Sequence, residues 1–393
     1  MLVCSSWLTN TASLAESPLR AGRPLILGAN NNESPTRLAP KLLQRSHTHW
    51  VRSFFPALEF IEGKRSFEAD EELEAIKSLA DDGYQVFLTI KWDFRNGNWR
   101  VPGPNSENEA KCFDFAKQLV CSFPNQLSGV ALVNEITVDT LPVDMQVTEP
   151  SVVPMIRFLK RLETFIASLQ IKARNGDDLP IYSGGFTRQD MPAMQNDLVL
   201  RDYMRWLSES PNIFGVNFHL HQRDLMQAEA SLQHVRSLIP DKPFAITEFS
   251  LIWRYKMNLS QRLDAGPPGV AFCERYNRDP DSSVADYLSL ASAENVSQEE
   301  WHAFLASRDW FDPKLISKYC RLMQRYGVTL ATYGFAHGMG GEPKRVTTQT
   351  TPWMLNMIFP RSLVTQSEAG QDAVTYGFFD DWVHIQKTAV SGG

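Results

Sequence analysis

Two glutamates stand where this chain is best equipped for chemistry. Glu135 closes the apolar run VALVNE, and Glu248 closes the run FAITE. A carboxylate ending an apolar run is costly to desolvate unless it has a partner or a task. Either glutamate alone reads most simply as a salt-bridged strand end. Two of them, each ending a strand-like run, suit general acid–base or nucleophilic work, in which one carboxyl holds a proton and the other stays ionised.

Other polar residues stand at or just past the ends of similar runs. They are Asn30 and Asn31; Arg52; Lys91, Trp92 and Asp93; Asn134; Ser183; His219 and His221; and His337. Asn217, His219 and His221 alternate, so on a strand they share one face. A His-x-His pair can also hold zinc, and His47-Thr48-His49 offers a second one. A metal-dependent barrel hydrolase using His219 and His221 is therefore a rival reading. In amidohydrolases, however, the His-x-His sits on the first strand, and that place here reads Gly28-Ala29-Asn30. His47 and His49 precede the second run instead of ending it, which suits a solvated position.

The elements that must position these residues recur along the chain. Short runs rich in β-branched and aromatic residues occur at Pro24–Asn30, Trp50–Phe55, Gln85–Lys91, Gly129–Asn134, Pro180–Ser183, Phe214–His219, Pro243–Thr247 and Val328–Tyr333. Bounded by Gly, Pro or Asn, they read as buried parallel strands. Helical spacing occupies most gaps: Asp70–Asp81, Asn108–Ser122, Ser151–Ala173, Val199–Ser208, Asp224–Leu238 and Pro313–Tyr326, the last opened by a proline. Strands alternating with helices in this number predict an α/β fold, a (β/α)8 TIM barrel over about residues 22–340. The chain is expected to be a single catalytic domain, 1–393. A doubly wound sheet is the competing fold, but no G-x-G-x-x-G follows the first run and no G-x-x-x-x-G-K-[ST] occurs. Two stretches exceed a minimal barrel. Residues 254–312 are expected to form a lid insertion after the seventh strand, and residues 341–393 a final helix and tail.

In such a barrel the active site lies at the C-terminal ends of the strands, where strands four and seven face each other. Asn134-Glu135 after the fourth run and Glu248 after the seventh resemble the retaining glycoside hydrolases of clan A. The resemblance covers the barrel. It implies that Glu135 is the acid/base, Glu248 the nucleophile, and Asn134 a ligand of the hydroxyl next to the anomeric carbon. It implies that Arg52 keeps the nucleophile ionised. Retention needs two carboxyl groups about 5–5.5 Å apart, and this set of side chains works without metal or organic cofactor. Two departures from the clan pattern stand out. On the sixth strand the clan often shows His-x-Tyr, and this chain has His219-Leu220-His221, so His221 would replace the tyrosine. The clan's eighth strand often ends in tryptophan, and here Phe335 would floor the sugar site instead.

Aromatic residues near strand ends are candidate subsite walls: Trp92, Trp253, Trp310 and Trp353. Trp253 is favoured because it lies five residues past Glu248. Arg188, Arg223 and Arg254 follow strands five, six and seven; they read as solvated loop charges or as readers of an acidic sugar. The third reading is a barrel that binds carbohydrate without cutting it.

Composition narrows the classes. The chain has 393 residues, 39 basic and 45 acidic, for a net charge of −6, with 43% hydrophobic and 21% charged residues. That mix belongs to a globular protein and argues against a disordered chain or a coiled coil. The acidic balance, without a Lys/Arg run longer than two, disfavours nucleic acid as the main partner. No stretch of 18 apolar residues occurs, so no membrane span is expected. Met1–Arg20 shows no apolar run of a secretory leader, which points to a cytoplasmic protein unless a leader is missing. Five cysteines without a C-x-x-C pair argue against a disulfide framework or a zinc knuckle. Carbohydrate is the expected partner.

Overall fold

The structure, a computed structural model, describes residues 24–32, 34–148, 152–336 and 345–391. His337 and one of the five cysteines, Cys4, lie outside the described residues. Among the described residues, eight parallel strands close a barrel in sequence order. They are β1 (Ile26–Asn30), β2 (Trp50–Pro56), β3 (Gln85–Lys91), β4 (Leu127–Ala131), β5 (Ile181–Phe186), β6 (Gly215–His221), β7 (Phe244–Ser250) and β8 (Val328–Gly334). Each overlaps one of the eight apolar runs, although β4 starts before its run and ends at Ala131, short of the expected Asn134. β8 pairs with β1 from Ile26↔Leu330 to Asn30↔Gly334, which closes the sheet. No described helix is long and apolar enough to cross a membrane.

The helices follow from local signals. Glu71–Asp81 is capped by Asp70, whose carboxylate accepts from Leu73 N–H, and Glu107–Cys121 is capped by Ser106. Asp224 caps Leu225–Leu238 in the same way. Such caps satisfy backbone donors that a helix start leaves orphaned. Two helices differ from the expectation by more than one residue at a boundary. The run expected over Ser151–Ala173 is helical only over Pro154–Ser168, because Gln170 turns to φ +52° and a bridge pairs Lys172 with Asp178. The helix expected to open at Pro313 begins at Leu315; Asp312 accepts from Lys314 N–H just ahead of it.

The barrel interior is plugged by Trp50, Phe87, Ala131, Tyr182, Ala245 and Leu330, each under a tenth exposed. Alternate residues of a barrel strand point inward, so these side chains form a layer below the mouth.

After β7 the chain makes four helices, Ile252–Met257, Gly266–Tyr276, Val284–Glu294 and Gln298–Ala306. The polar stretch read as a lid thus carries an apolar core of its own. Phe272, Tyr287, Trp301 and Phe304 are buried in it, with the Tyr287 and Phe304 rings 4.2 Å apart. It is also tied to the C-terminal segment. Val296 N–H donates to Leu363 O, Thr365 N–H donates back to Val296 O, and Phe311 stacks on Phe378.

Candidate active site

Arg52 organises the barrel mouth. It lies on β2, is fully buried, and its donors are distributed over five acceptors. Nε donates to Thr89 Oγ1 at 3.1 Å. Nη1 donates to Glu248 Oε1 at 2.8 Å, with Asn30 Oδ1 at 3.1 Å and Asn32 Oδ1 at 3.3 Å. Nη2 donates to Asn134 Oδ1 at 2.7 Å. A guanidinium is the cation suited to such a site, since its planar fork serves several acceptors without losing its charge.

Glu248 reaches this cluster through an irregularity. Phe218 of β6 pairs with Ile246 of β7, but the next residue, His219, pairs with Glu248. Thr247 is the extra residue of a β-bulge, a device that re-aims a side chain. The bulge sets Glu248 level with His219. His221 Nε2 lies 3.2 Å from Glu248 Oε2, and its Nδ1 lies 2.8 Å from Ser250 Oγ. With Nε2–H donating to the carboxylate, Nδ1 accepts from the serine hydroxyl. His221 thus bridges Glu248 and Ser250, two residues of β7. Trp353 packs edge-on against its ring at 4.9 Å.

Glu135 enters by a different route. β4 ends at Ala131, and Asn134-Glu135 lie in the turn beyond it. That turn is held against β5 by Ile136 N–H donating to Gly185 O. Gly185 has φ +59°, and a Cβ there would meet Asn134 O at 2.7 Å, so a glycine is required. His219 joins the two glutamates: Nδ1 lies 3.2 Å from Glu135 Oε1 and Nε2 lies 3.7 Å from Glu248 Oε1. Glu135 keeps one fifth of its side chain exposed, whereas Glu248 keeps 4%.

The electrostatics separate the two carboxyls. Burial pushes the Glu248 carboxyl up, but His219, His221 and Arg52 together outweigh burial and hold it well below the usual carboxylate range. Glu248 is thus an anion at any ordinary pH. His219 is held above its usual range: burial opposes its charge, and Glu248 and Glu135 overcome that opposition.

The other sequence candidates divide. Asn30 is buried beside Arg52, with its amide donating to Asn32 Oδ1 at 2.7 Å. Trp253 is half-buried on the helix after β7, with Lys256 Nζ 5.7 Å from its ring. Two assignments are corrected. Trp92 is wholly buried among Phe94, Phe115 and Phe158 and donates to Leu132 O, so it is core and no subsite wall. Phe335 is wholly buried against Phe359 and Trp382, so it does not floor the mouth. Both strands turn these rings outward under the helices. Trp310 is likewise buried, donating to Gln261 Oε1. Arg188 pairs with Asp190 in a two-point contact, which leaves it a structural loop charge. His47 and His49 are exposed at the start of β2.

Sequence reasoning missed Asn32, Thr89, Ser250 and Asp139. The signal for Ser250 was its spacing, two residues past Glu248 on the same strand face. Asp139 had no such signal, because it sits in an irregular turn. The residue is 3% exposed, and its carboxylate accepts from Glu135 N–H at 3.1 Å.

His219, His221 and Glu248 also form a set whose ligand atoms lie within 4.8 Å of one another. Arg52 argues against a cation there: its charge already rests 2.8 Å from Glu248 Oε1.

No protein-family model matches the chain, and no curated protein matches it in sequence. Solved structures do match in shape. The catalytic core of xylanase A is 14% identical, with 95% of this chain and 99% of that one covered and a TM-score of 0.51. A family 39 glycoside hydrolase from the gut symbiont Bacteroides cellulosilyticus is 11% identical, covering 94% of this chain, with a TM-score of 0.47; this chain spans 64% of its length. A family 128 oligosaccharide-binding protein from Trichoderma gamsii is 11% identical, covering 94% and 96%, with a TM-score of 0.40. At 14% identity the likeness to the xylanase core speaks to the barrel fold alone.

Proposed function

We propose that the protein is a retaining O-glycoside hydrolase acting on a β-linked sugar. The observation that supports this best is the pair of unlike carboxyls at the barrel mouth, joined by one imidazole. Glu248 is buried and held ionised by Arg52, His219 and His221, as a nucleophile must be. Glu135 is partly exposed, as a group that trades protons with a leaving group and then with water must be.

The reaction follows from those roles. A Glu248 carboxylate oxygen attacks the anomeric carbon while the bond to the leaving oxygen breaks. The Glu135 proton passes to that oxygen, so the aglycone departs neutral. A glycosyl ester on Glu248 remains. Its formation removes the anion that His219 and Arg52 had balanced, which favours ionised Glu135. Glu135 then takes a proton from water as the water oxygen attacks the same carbon and Glu248 leaves. Two inversions give net retention.

The test is intact-protein mass spectrometry after incubation with a panel of 2-deoxy-2-fluoro glycosyl fluorides. Fluorine at C2 disfavours the oxocarbenium-like transition state and slows hydrolysis of the ester. The expected result is one glycosyl adduct that maps to Glu248. An adduct on another residue overturns the assignment. Stoichiometric zinc in the purified protein, with activity lost on chelation, would replace it by the metal-dependent reading.

A further inference from the structure

A cleft between two helices on the flank of the barrel has no part in the reaction above. The helices are Pro154–Ser168 and Leu198–Glu209, which follow β4 and β5. The cleft opens between their first turns and has a volume of about 500 Å³. Small-ligand sites span roughly 300–1,000 Å³. Val153, Ile156, Arg157 and Lys160 recur at three- and four-residue steps, so they share the cleft face of the first helix. Thr148 N–H and Oγ1 both donate to Val152 O, at 2.9 and 3.3 Å, which ties down the chain that enters that helix.

The wall of the cleft is aliphatic. It is built from Val147, Val152, Val153, Ile156, Leu198 and Val199. Two of these stand well out in water: Val147 is 59% exposed and Leu198 72%. A patch of exposed aliphatic side chains bordered by charge is the mark of a binding surface. None of the lining residues is aromatic, so a sugar finds no ring to stack on.

The charges at the cleft leave a cation in want of an acceptor. Arg157 Nε is buried and has no hydrogen-bond partner. Glu109 faces it from the helix Glu107–Cys121, but that carboxylate is already engaged. Its Oε1 accepts from Arg161 Nε at 2.7 Å, and its Oε2 accepts from Arg161 Nη2 at 2.8 Å and from Asn105 N–H at 2.6 Å. Asp202, in the cleft wall, accepts from Arg205 Nη1 at 2.8 Å. Lys160 Nζ stands 5.5 Å from the Trp206 ring centre. Neither Arg157 nor Lys160 forms an ion pair with a described residue. A buried N–H without an acceptor is costly. A carboxylate satisfies it best, because its two oxygens match the guanidinium fork.

We infer that this cleft binds a single-chain anionic amphiphile with the chemistry of a free fatty acid. Its carboxylate rests on Arg157, with Lys160 adding a second positive charge, and its chain lies along the valine and leucine wall. The site is separate from the reaction proposed for Glu135 and Glu248, and neither depends on the other.

The test is calorimetric titration of the full chain with hexanoate, octanoate and decanoate below their micellar concentrations. Acetate serves as the head alone and octanol as the chain alone. Affinity should rise about three- to fourfold per added methylene. Octanol should bind about tenfold or more weakly than octanoate, because it lacks the charged hydrogen bonds. With methyl-labelled valine and leucine, the NMR shifts on adding decanoate should fall on Val147, Leu198 and Val199. Arg157→Met keeps the stem and removes the fork, and should weaken octanoate binding about tenfold or more. Leu198→Asp alters a residue that is 72% exposed, so it serves if Arg157→Met does not fold. It sets a negative charge in the wall and should also weaken octanoate. Absence of decanoate binding at millimolar concentration overturns the inference. So do an affinity that does not grow with chain length, octanol binding as tightly as octanoate, or shifts confined to other methyls.

Discussion

The barrel interior holds two layers of opposite character on the same strands. The lower layer is apolar, built from Trp50, Phe87, Ala131, Tyr182, Ala245 and Leu330. The upper one is polar and charged, built from Arg52, His219 and Glu248 on the strands and from Asn134 in the turn past β4. On β2 the change takes two residues, from Trp50 to Arg52. A dry layer below keeps water from screening the charges above, so their mutual attractions are stronger than in solvent. The charged layer must then satisfy itself internally, which is why each Arg52 nitrogen finds a side-chain acceptor. The lower layer therefore sets the protein's shape, and the upper one sets its chemistry.

Substitutions in the two layers should fail in different ways. The largest effect is expected from Glu248→Gln. Turnover should fall by about 10⁴-fold or more, the scale seen when the nucleophile of a covalent mechanism is removed. Circular dichroism should still report a folded barrel. Near-normal turnover would show that the charged layer is not the reaction centre.

Arg52→Met comes next and affects both properties. Breaking a buried pair on one side costs about 3–5 kcal/mol. The sign with pH follows from Glu248, whose folded pKa is depressed. Its contribution to stability is present above its unfolded value of roughly 4.3 and is lost as pH falls through the folded value. Without Arg52 that depression shrinks, so acid unfolding and the acid limb of activity should both begin at higher pH. Thermal melts and kcat/KM across acid pH would check this, and unshifted profiles would remove Arg52 from its role.

Phe87→Ala tests the lower layer. It should cost about 3–5 kcal/mol in urea unfolding, while activity per folded molecule stays within a few-fold. A selective loss of turnover would mean that the layers are not separable. Ser250→Ala should do least. It removes one hydrogen bond to His221, worth about 1 kcal/mol, and should slow turnover a few-fold without moving the melt.

Much of this was legible in the chain. All eight strands follow from short apolar runs, because a buried parallel strand needs apolar residues on both faces. Asn134, Glu135, Arg52, His219, His221 and Glu248 were legible because each closes or occupies such a run. The aromatic assignments were less so. Trp92 and Phe335 stand near strand ends yet point into the core, and sequence spacing alone does not say which way a residue past the last ladder bond will turn. The 254–312 stretch read as polar cover because its apolar residues are spread over four short helices. Their common core appears only when the helices meet one another and the C-terminal segment.

The amino-acid pattern by itself determined the strand order, the barrel, and the residue types available at its mouth, since these follow from local periodicity and turn chemistry. The tertiary structure alone decided how those residues meet. The extra residue at Thr247 brings Glu248 level with His219, and a one-residue change of register moves a side chain to the opposite face. Gly185 gives the Asn134-Glu135 turn room to close, and that closure brings Asp139 against Glu135. These contacts join residues from different strands and turns, and their energies depend on distances that no local pattern encodes.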